Sequence, residues 1–332
     1  MVEKITYIES NQCNPYKNLA VEEYLLLHCA KDQCIFYLWQ NQNTVVIGRN
    51  QNAWKECLVS KLEEEKGYLV RRLSGGGAVY HDLGNLNFTF LVAKDNYDVE
   101  KQLRVIILAL EKLGVHAEKS GRNDILVDGK KFSGNAFYEK GSHCYHHGTL
   151  MIHVNISELS KFLTVSKEKL ASKGVSSVKS RVTNLTEFLP ELTIDQLKHV
   201  LKDAFEEVYG LQAETIAVED LDAEAIEKGR EHFSSWEWIY GKKLEFQQEW
   251  EHRFSWGNLT VQMEVSAGII RDAVIYSDAL HTDVILAMPQ YLKGIRYAKN
   301  DVCSELERFV SKNEMENAMM EEIVAWIRTI EF

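Results

Sequence analysis

The chain has 332 residues, a formal net charge of −11, 45% hydrophobic and 26% charged residues. These globular proportions exclude a largely disordered chain, and the acidic balance disfavours nucleic acid as a partner, because phosphate neutralisation needs a positive surface. No apolar run of the roughly 18 residues needed to cross a bilayer occurs, and the opening MVEKITYIES lacks a signal peptide's basic start and apolar core, so a cytoplasmic chain without a membrane partner is expected.

Helical periodicity runs over residues 19–29, 52–66 and 99–113, the last stopped by Gly114 at a position that favours a left-handed residue. Strands are expected at 67–70 and 85–92, the latter (NLNFTFLV) with apolar alternation at Leu86, Phe88 and Phe90. An Asp128-Gly129 turn between apolar segments predicts a hairpin over residues 121–137. If its returning strand is regular, Lys131 and Ser133 share one face and Lys130 and Phe132 the other. Residues 146–154 read as another strand, preceded by a loop carrying His143, Cys144 and Tyr145. Helices follow at 194–209 and 221–232. The polar stretch 240–248 is the candidate linker, giving domains 1–242 and 248–332. Beyond it, 254–265 reads as a strand, 266–268 as a turn, 269–277 as the return, and helices at 301–312 and 314–330 close the chain. At this length two cores are expected.

Two segments carry chemistry. Arg71-Arg72-Leu73-Ser74-Gly75-Gly76-Gly77-Ala78-Val79-Tyr80-His81-Asp82 joins a triple glycine to two guanidiniums. Glycines let the backbone turn sharply and bring N–H groups together, and arginine grips phosphate or carboxylate as a fork. Neither a P-loop nor a dinucleotide fingerprint is present, and a GGG turn alone is ambiguous between packing and ligand binding. In the hairpin, Lys130-Lys131 reads by itself as a solvated turn flank. Residues 171–185, rich in Ser, Gly and positive charge, suit a lid over an anion. The six cysteines are scattered without a CxxC, so neither a disulfide frame nor a zinc ribbon is expected.

Taken in order, Asn18-Leu19-Ala20-Val21-Glu22-Glu23, Leu38-Trp39-Gln40-Asn41, residues 46–52, the glycine loop, Gly121 to Asp124 with Lys131 to Ala136, His147-Gly148-Thr149-Leu150 and residues 173–185 resemble the lipoate–protein ligases of the lipoate ligase A type. The resemblance covers nearly the whole chain. Asn135 departs from it, standing where a Ser is common. Biotin protein ligases, of the same fold class, carry a charged GRGRxGR loop where this chain has SGGGAV.

The resemblance implies an α+β fold: a large N-terminal mixed-sheet domain of the biotin/lipoate ligase, class II synthetase-like type, with a smaller C-terminal α/β domain. It implies activation of lipoate by ATP, with Mg²⁺, to lipoyl-AMP, then transfer to a lysine of E2 lipoyl domains or the glycine-cleavage H protein. Lys131 is the implied catalytic residue, electrophilic rather than nucleophilic, touching both lipoate and adenylate. Arg72, Gly77, Ala78, Val79, Tyr80 and Asp124 are implied for ATP and adenylate. Ser74, Gly75, Gly76, His81, Asn85, His147, Gly148 and Thr149 are implied for lipoate, and Asp124 for Mg²⁺. Leu19, Trp39, Leu73, Val79 and Phe137 would wall an apolar tunnel. Two rivals stand beside this reading. An octanoyl or lipoyl transferase needs no ATP and uses a cysteine; its relatives carry Ala-Cys-Phe where this chain has Arg122-Asn123-Asp124, leaving Cys144 as the nearest thiol. The other is a non-catalytic protein that binds lipoyl domains.

Overall fold

In the computed structural model, the described residues are 1–121, 123–163, 182–241 and 248–330. Arg122, most of the expected lid at 173–185 and most of the expected linker at 240–248 lie outside them. The strands are β1 Lys4–Glu9, β2 Gln33–Trp39, β3 Thr44–Ile47, β4 Tyr68–Arg71, β5 Val79–His81, β6 Asn85–Ala93, β7 Glu118–Ser120, β8 Asp124–Val127, β9 Lys130–Lys140, β10 His143–Met151, β11 Ala213–Ala217, β12 Gln248–Phe254, β13 Gly257–Ser266 and β14 Ile269–Ser277.

The fold is α+β. The large sheet runs β11-β1-β2-β6-β10-β9-β8-β7; β1 pairs in parallel with β11 and β2, and the other pairings are antiparallel. β6 lies centrally and is buried along its whole length. Its alternation sends Leu86, Phe88, Phe90 and Val92 toward helices Val99–Lys112 and Ile194–Tyr209, which contribute Leu103, Ile106, Leu201 and Phe205 to the same core. Burying each such side chain contributes about 1.5–3 kcal/mol. The second helix has the sequence for its ends: Thr193 and Gln196 form a capping box, and Gly210 ends it at φ 68°.

The other sheet face packs on helix Pro15–His28 and on a three-stranded sheet, β4-β3-β5, through Leu19, Tyr37, Trp39, Val46 and Val70. Parallel pairing of β3 with β4 and antiparallel pairing with β5 make residues 72–78 a strap across the end of the small sheet. A separate C-terminal domain, β12-β13-β14 with three helices, encloses its own core around Leu259, Val261, Met288 and Ile323.

Several expectations change. The helix over 52–66 breaks into Ala53–Glu56 and Val59–Glu64, because Cys57 bridges to Leu163 and Leu58 N–H donates to Phe162 O. His143 to Tyr145 belong to β10 itself and not to a loop. Alternation there sends His146 into the aromatic core beside Phe88 and Phe137, and His147 to the opposite face. The strand over 254–265 is two strands, with Phe254 paired to Gly257 across a tight turn. Helix Asp283–Leu292 was not anticipated, and the one at 301–312 is Lys299–Leu306, shortened because Ser311 N–H and Asn313 already serve the cap of the next helix.

Candidate functional site

Between the large sheet and the small one lies a cavity of about 300 Å³. Its floor is built by pleat. β10 and β6 pair Thr149 with Asn87 and Met151 with Asn85, and β6 and β2 pair Asn87 with Trp39, so these side chains share one face. The opposite wall is the glycine strap with β5: Gly76, Gly77, Ala78, Val79, Tyr80 and His81 line it, with Arg72 behind. Lys131, Gly134, His147, Gly148 and Thr149 close the side toward β9. Sequence reading thus brings most of its candidates to one place. Ser74, Gly75 and Asp124 are not on the cavity wall, and of the tunnel residues Leu73 and Phe137 are not; Phe137 stands against His146, ring centres 5.0 Å apart.

Lys131 reaches the cavity through an irregularity. Ile125 pairs with Ser133 but Leu126 pairs with Lys131, so Phe132 is an extra residue in β9, a bulge. Regular alternation does not hold there: Phe132 and Ser133 are both buried, while Lys131 turns toward Gly134. A Cβ at Gly134 would lie 3.0 Å from Lys131 Nζ, so the glycine leaves room for the ammonium. Lys131 Nζ is 2.6 Å from Asp124 Oδ1, and Lys130 is exposed and near Glu187.

Both arginines brace the backbone, and Arg72 also stands on the cavity wall. Arg71 donates to the carbonyls of Gly48, Arg49, Gln51, Trp238 and Ile239. Arg72 donates from Nε to Ser74 Oγ and Gly75 O, from one terminal nitrogen to Val46 O, and from the other to Gly75 O and Gly77 O. Burial pushes both guanidiniums down to about 10, with Arg49 adding repulsion at Arg71. Arg72 therefore presents its charge through the strap it holds in shape. Gly76, at φ 91°, occupies the left-handed region that the strap requires.

A buried chain braces strap, floor and helix together. Ser74 Oγ and His147 Nε2 are 2.8 Å apart, His147 Nδ1 is 2.8 Å from Glu22 Oε1, and Thr89 Oγ1 donates to the same oxygen. Trp39 Nε1 donates to Thr89 Oγ1 at 3.1 Å. The order Ser, His, carboxylate has the form of a hydrolase triad, but Ser74 is fully buried off the cavity wall, so a substrate carbonyl does not reach it. Burial, then Arg72 and His147, lower His81 to about 3, which keeps it neutral.

Asn87, Met151 and Val154 also line the cavity and were not singled out from the sequence, while Asn123, Ala136 and Val182 line it from the motif and lid segments without having been assigned a role. Only Asn87 had a usable signal, its place two residues from Asn85 opposite Leu86 and Phe88. Among the described residues no group of three or more His, Cys, Asp or Glu gathers for a metal, and no helix is long and apolar enough to cross a membrane.

Residues 14–206 match the lipoyl protein ligase A/B catalytic domain, and residues 243–327 match the bacterial lipoate protein ligase C-terminus. Lipoate-protein ligase A of Psychrobacter cryohalolentis is 38% identical over 332 residues, and that of Bdellovibrio bacteriovorus 39% over 336, each comparison covering 98% of both chains. Among solved structures, P. falciparum LipL1 in complex with lipoate superposes with a TM-score of 0.86 at 29% identity, covering 97% of this chain and 99% of that one. A lipoate-protein ligase A bound with ATP gives 0.62 at 25% identity, over 73% of this chain and 99% of its own. The bipartite ligase of Thermoplasma acidophilum, solved as part of a lipoylation system with its E2 lipoyl domain, gives 0.63 at 27% identity, covering 74% and 99%. With catalytic and C-terminal segments both matched, and relatives aligned end to end, the chain belongs to the lipoate–protein ligase A family.

Proposed function

We propose that this protein is an ATP-dependent ligase that activates lipoate as lipoyl-AMP and transfers the lipoyl group to a lysine of a lipoyl-carrier protein in the cytoplasm. The observation that carries this reading is one cavity walled by a glycine strap and lined by Lys131 on the side toward β9. Joining a carboxylate to an α-phosphate brings two anions together, and fixed donors in a dry site lower the barrier to their meeting. The strap backbone from Gly77 to Tyr80 would bind the nucleotide phosphate. Lys131 would contact both carboxylate and phosphate oxygens, exchanging Asp124 for them and holding the reactants in line. Ser74, Gly75, Gly76, His147, Gly148 and Thr149 would shape the lipoate side, directly or through the buried brace. Asn85 and His81 line the same cavity.

Asp124 Oδ1 has no hydrogen-bond donor besides the Lys131 ammonium among the described residues, and once Lys131 turns to the substrate this carboxylate oxygen would suit a hard cation. Asp124, with phosphate oxygens, would hold Mg²⁺, which when bound neutralises phosphate charge. Acceptors of the E2 lipoyl-domain and glycine-cleavage H-protein kind are proposed as partners, and residues 1–242 and 248–332 as the catalytic and accessory domains. The cysteine-dependent transferase is disfavoured because no cysteine is among the described residues that line the cavity, and Cys144 is buried with its thiol pushed up to about 11 by burial.

Incubation with ATP, Mg²⁺, lipoate and a panel of apo acceptors tests the proposal. The expected result is pyrophosphate release with the acceptor gaining one lipoyl mass. Acceptor modification without ATP would replace the reading with a transferase, and binding with no pyrophosphate would leave a carrier.

A further inference from the structure

Two residues that line the cavity, Asn87 and His81, each carry a buried donor that has no acceptor among the described residues. Asn87 is 2% exposed; its Oδ1 accepts from Asn85 Nδ2 at 3.0 Å, and its Nδ2 has no hydrogen-bond partner among the described residues. His81 is 3% exposed, and its Nε2 likewise has none. A chain of amides fixes its tautomer. Asn18 Oδ1 accepts from Gln12 Nε2 and Tyr37 OH, so its amide nitrogen donates to Asn41 Oδ1, and Asn41 Nδ2 then donates to His81 Nδ1. With the ring neutral, the remaining proton is on Nε2. Both groups are therefore donors, and a buried donor left unmet is destabilising.

Asn87 also has a defined place along the ligand's path. Gly134 N–H donates to Thr149 Oγ1, Thr149 pairs with Asn87, and Asn87 pairs with Trp39. The row Gly134, Thr149, Asn87, Trp39 crosses β9, β10, β6 and β2, three strand spacings or on the order of 14 Å. A carboxylate at Lys131, beside Gly134, leaves the far end of an extended acyl chain over Asn87 and against Trp39. There a hydrocarbon tail offers the donors nothing. A dithiolane offers sulfur lone pairs, weak acceptors, and sulfur also packs favourably on an indole.

Building on the ligase reading above, we propose that Asn87, seconded by His81, is a specificity-determining residue that selects a sulfur-bearing acyl tail over a plain hydrocarbon of equal length. The pocket does this by making the hydrocarbon strand a donor that lipoate satisfies.

The test compares lipoate with octanoate in the full chain. Wild-type protein should bind lipoate more tightly by calorimetry, and Asn87→Leu, similar in size but without the amide, should lower the lipoate-to-octanoate ratio of kcat/KM about 5-fold, in keeping with a weak hydrogen bond. Equal wild-type affinities would overturn the inference, whatever the variant's folding. So would an unchanged ratio in a folded Asn87→Leu protein that still transfers both acids, which would leave the ligase reading standing. Wild-type protein that releases pyrophosphate with neither acid would overturn that reading and this inference with it.

Discussion

The amide of Gly76, in the strap that walls the cavity, donates to the carbonyl of Ala279 in the C-terminal domain at 3.1 Å. Ser277 N–H reaches Asn50 O and Asn50 Nδ2 reaches Thr282 O, so the two domains meet directly on the glycine strap. An N–H group that would otherwise be free for an anion is thereby held by the accessory domain.

This contact gives a point test of domain docking. A Cβ on Gly75 would lie 2.1 Å from Ala279 O, so Gly75→Ala is incompatible with the docked arrangement. The variant should stay folded while its C-terminal domain detaches, seen as a larger radius by small-angle scattering and faster proteolysis between the domains. We expect ATP-driven activation to fall and transfer from preformed lipoyl-AMP to survive. A variant with wild-type dimensions and full ATP-driven activity would refute a role for docking in the first step.

Lys131→Ala removes the ammonium from the cavity while leaving the bulged strand in place, and should reduce lipoyl-AMP formation by at least about 100-fold if the group stabilises the reacting anions. Lys130→Ala loses only an exposed pairing with Glu187 and should be within about twofold of wild type. Quenched-flow detection of the adenylate separates the two; comparable rates in both variants would remove Lys131 from its assigned role.

Gly76→Val puts a branched side chain at φ 91°, with its Cβ 2.9 Å from an Arg72 terminal nitrogen. Strain of about 1–3 kcal/mol is expected, together with loss of both ATP and lipoate binding. Calorimetry on a folded variant decides this, and retained affinity for both ligands would reduce the strap to a connector.

His81 and His146 are each buried neutral and lowered to about 3, first by burial. Below the ordinary value of 6.5 the unfolded chain takes up protons that the folded one refuses, so stability falls as pH drops from about 6.5 toward 3. Each group contributes a slope of at most about 1.4 kcal/mol per pH unit. Urea midpoints between pH 7 and pH 4 should show it, and His146→Gln should flatten the dependence; an identical slope in that variant would place the acid sensitivity elsewhere.

The alternation of β6, the capping box at Thr193, the Asp128-Gly129 turn and the ordered motifs from Asn18 to Thr149 are local patterns, and the sequence by itself determined from them the mixed α+β class and the family. Tertiary structure decided what local patterns do not encode. A bulge at Phe132 turned Lys131 toward the cavity against the regular alternation, because strand register depends on the partner strand. Arg71, apt for anions by type, is taken up by carbonyls of Gly48, Arg49, Gln51, Trp238 and Ile239, and Arg72, on the cavity wall, donates to Val46, Gly75 and Gly77 carbonyls of β3 and the strap. Asn87 became a cavity floor residue only when β2, β6 and β10 aligned side by side, and the hold of Ala279 on Gly76 joins positions about 200 residues apart, a separation across which only packing brings backbone groups together.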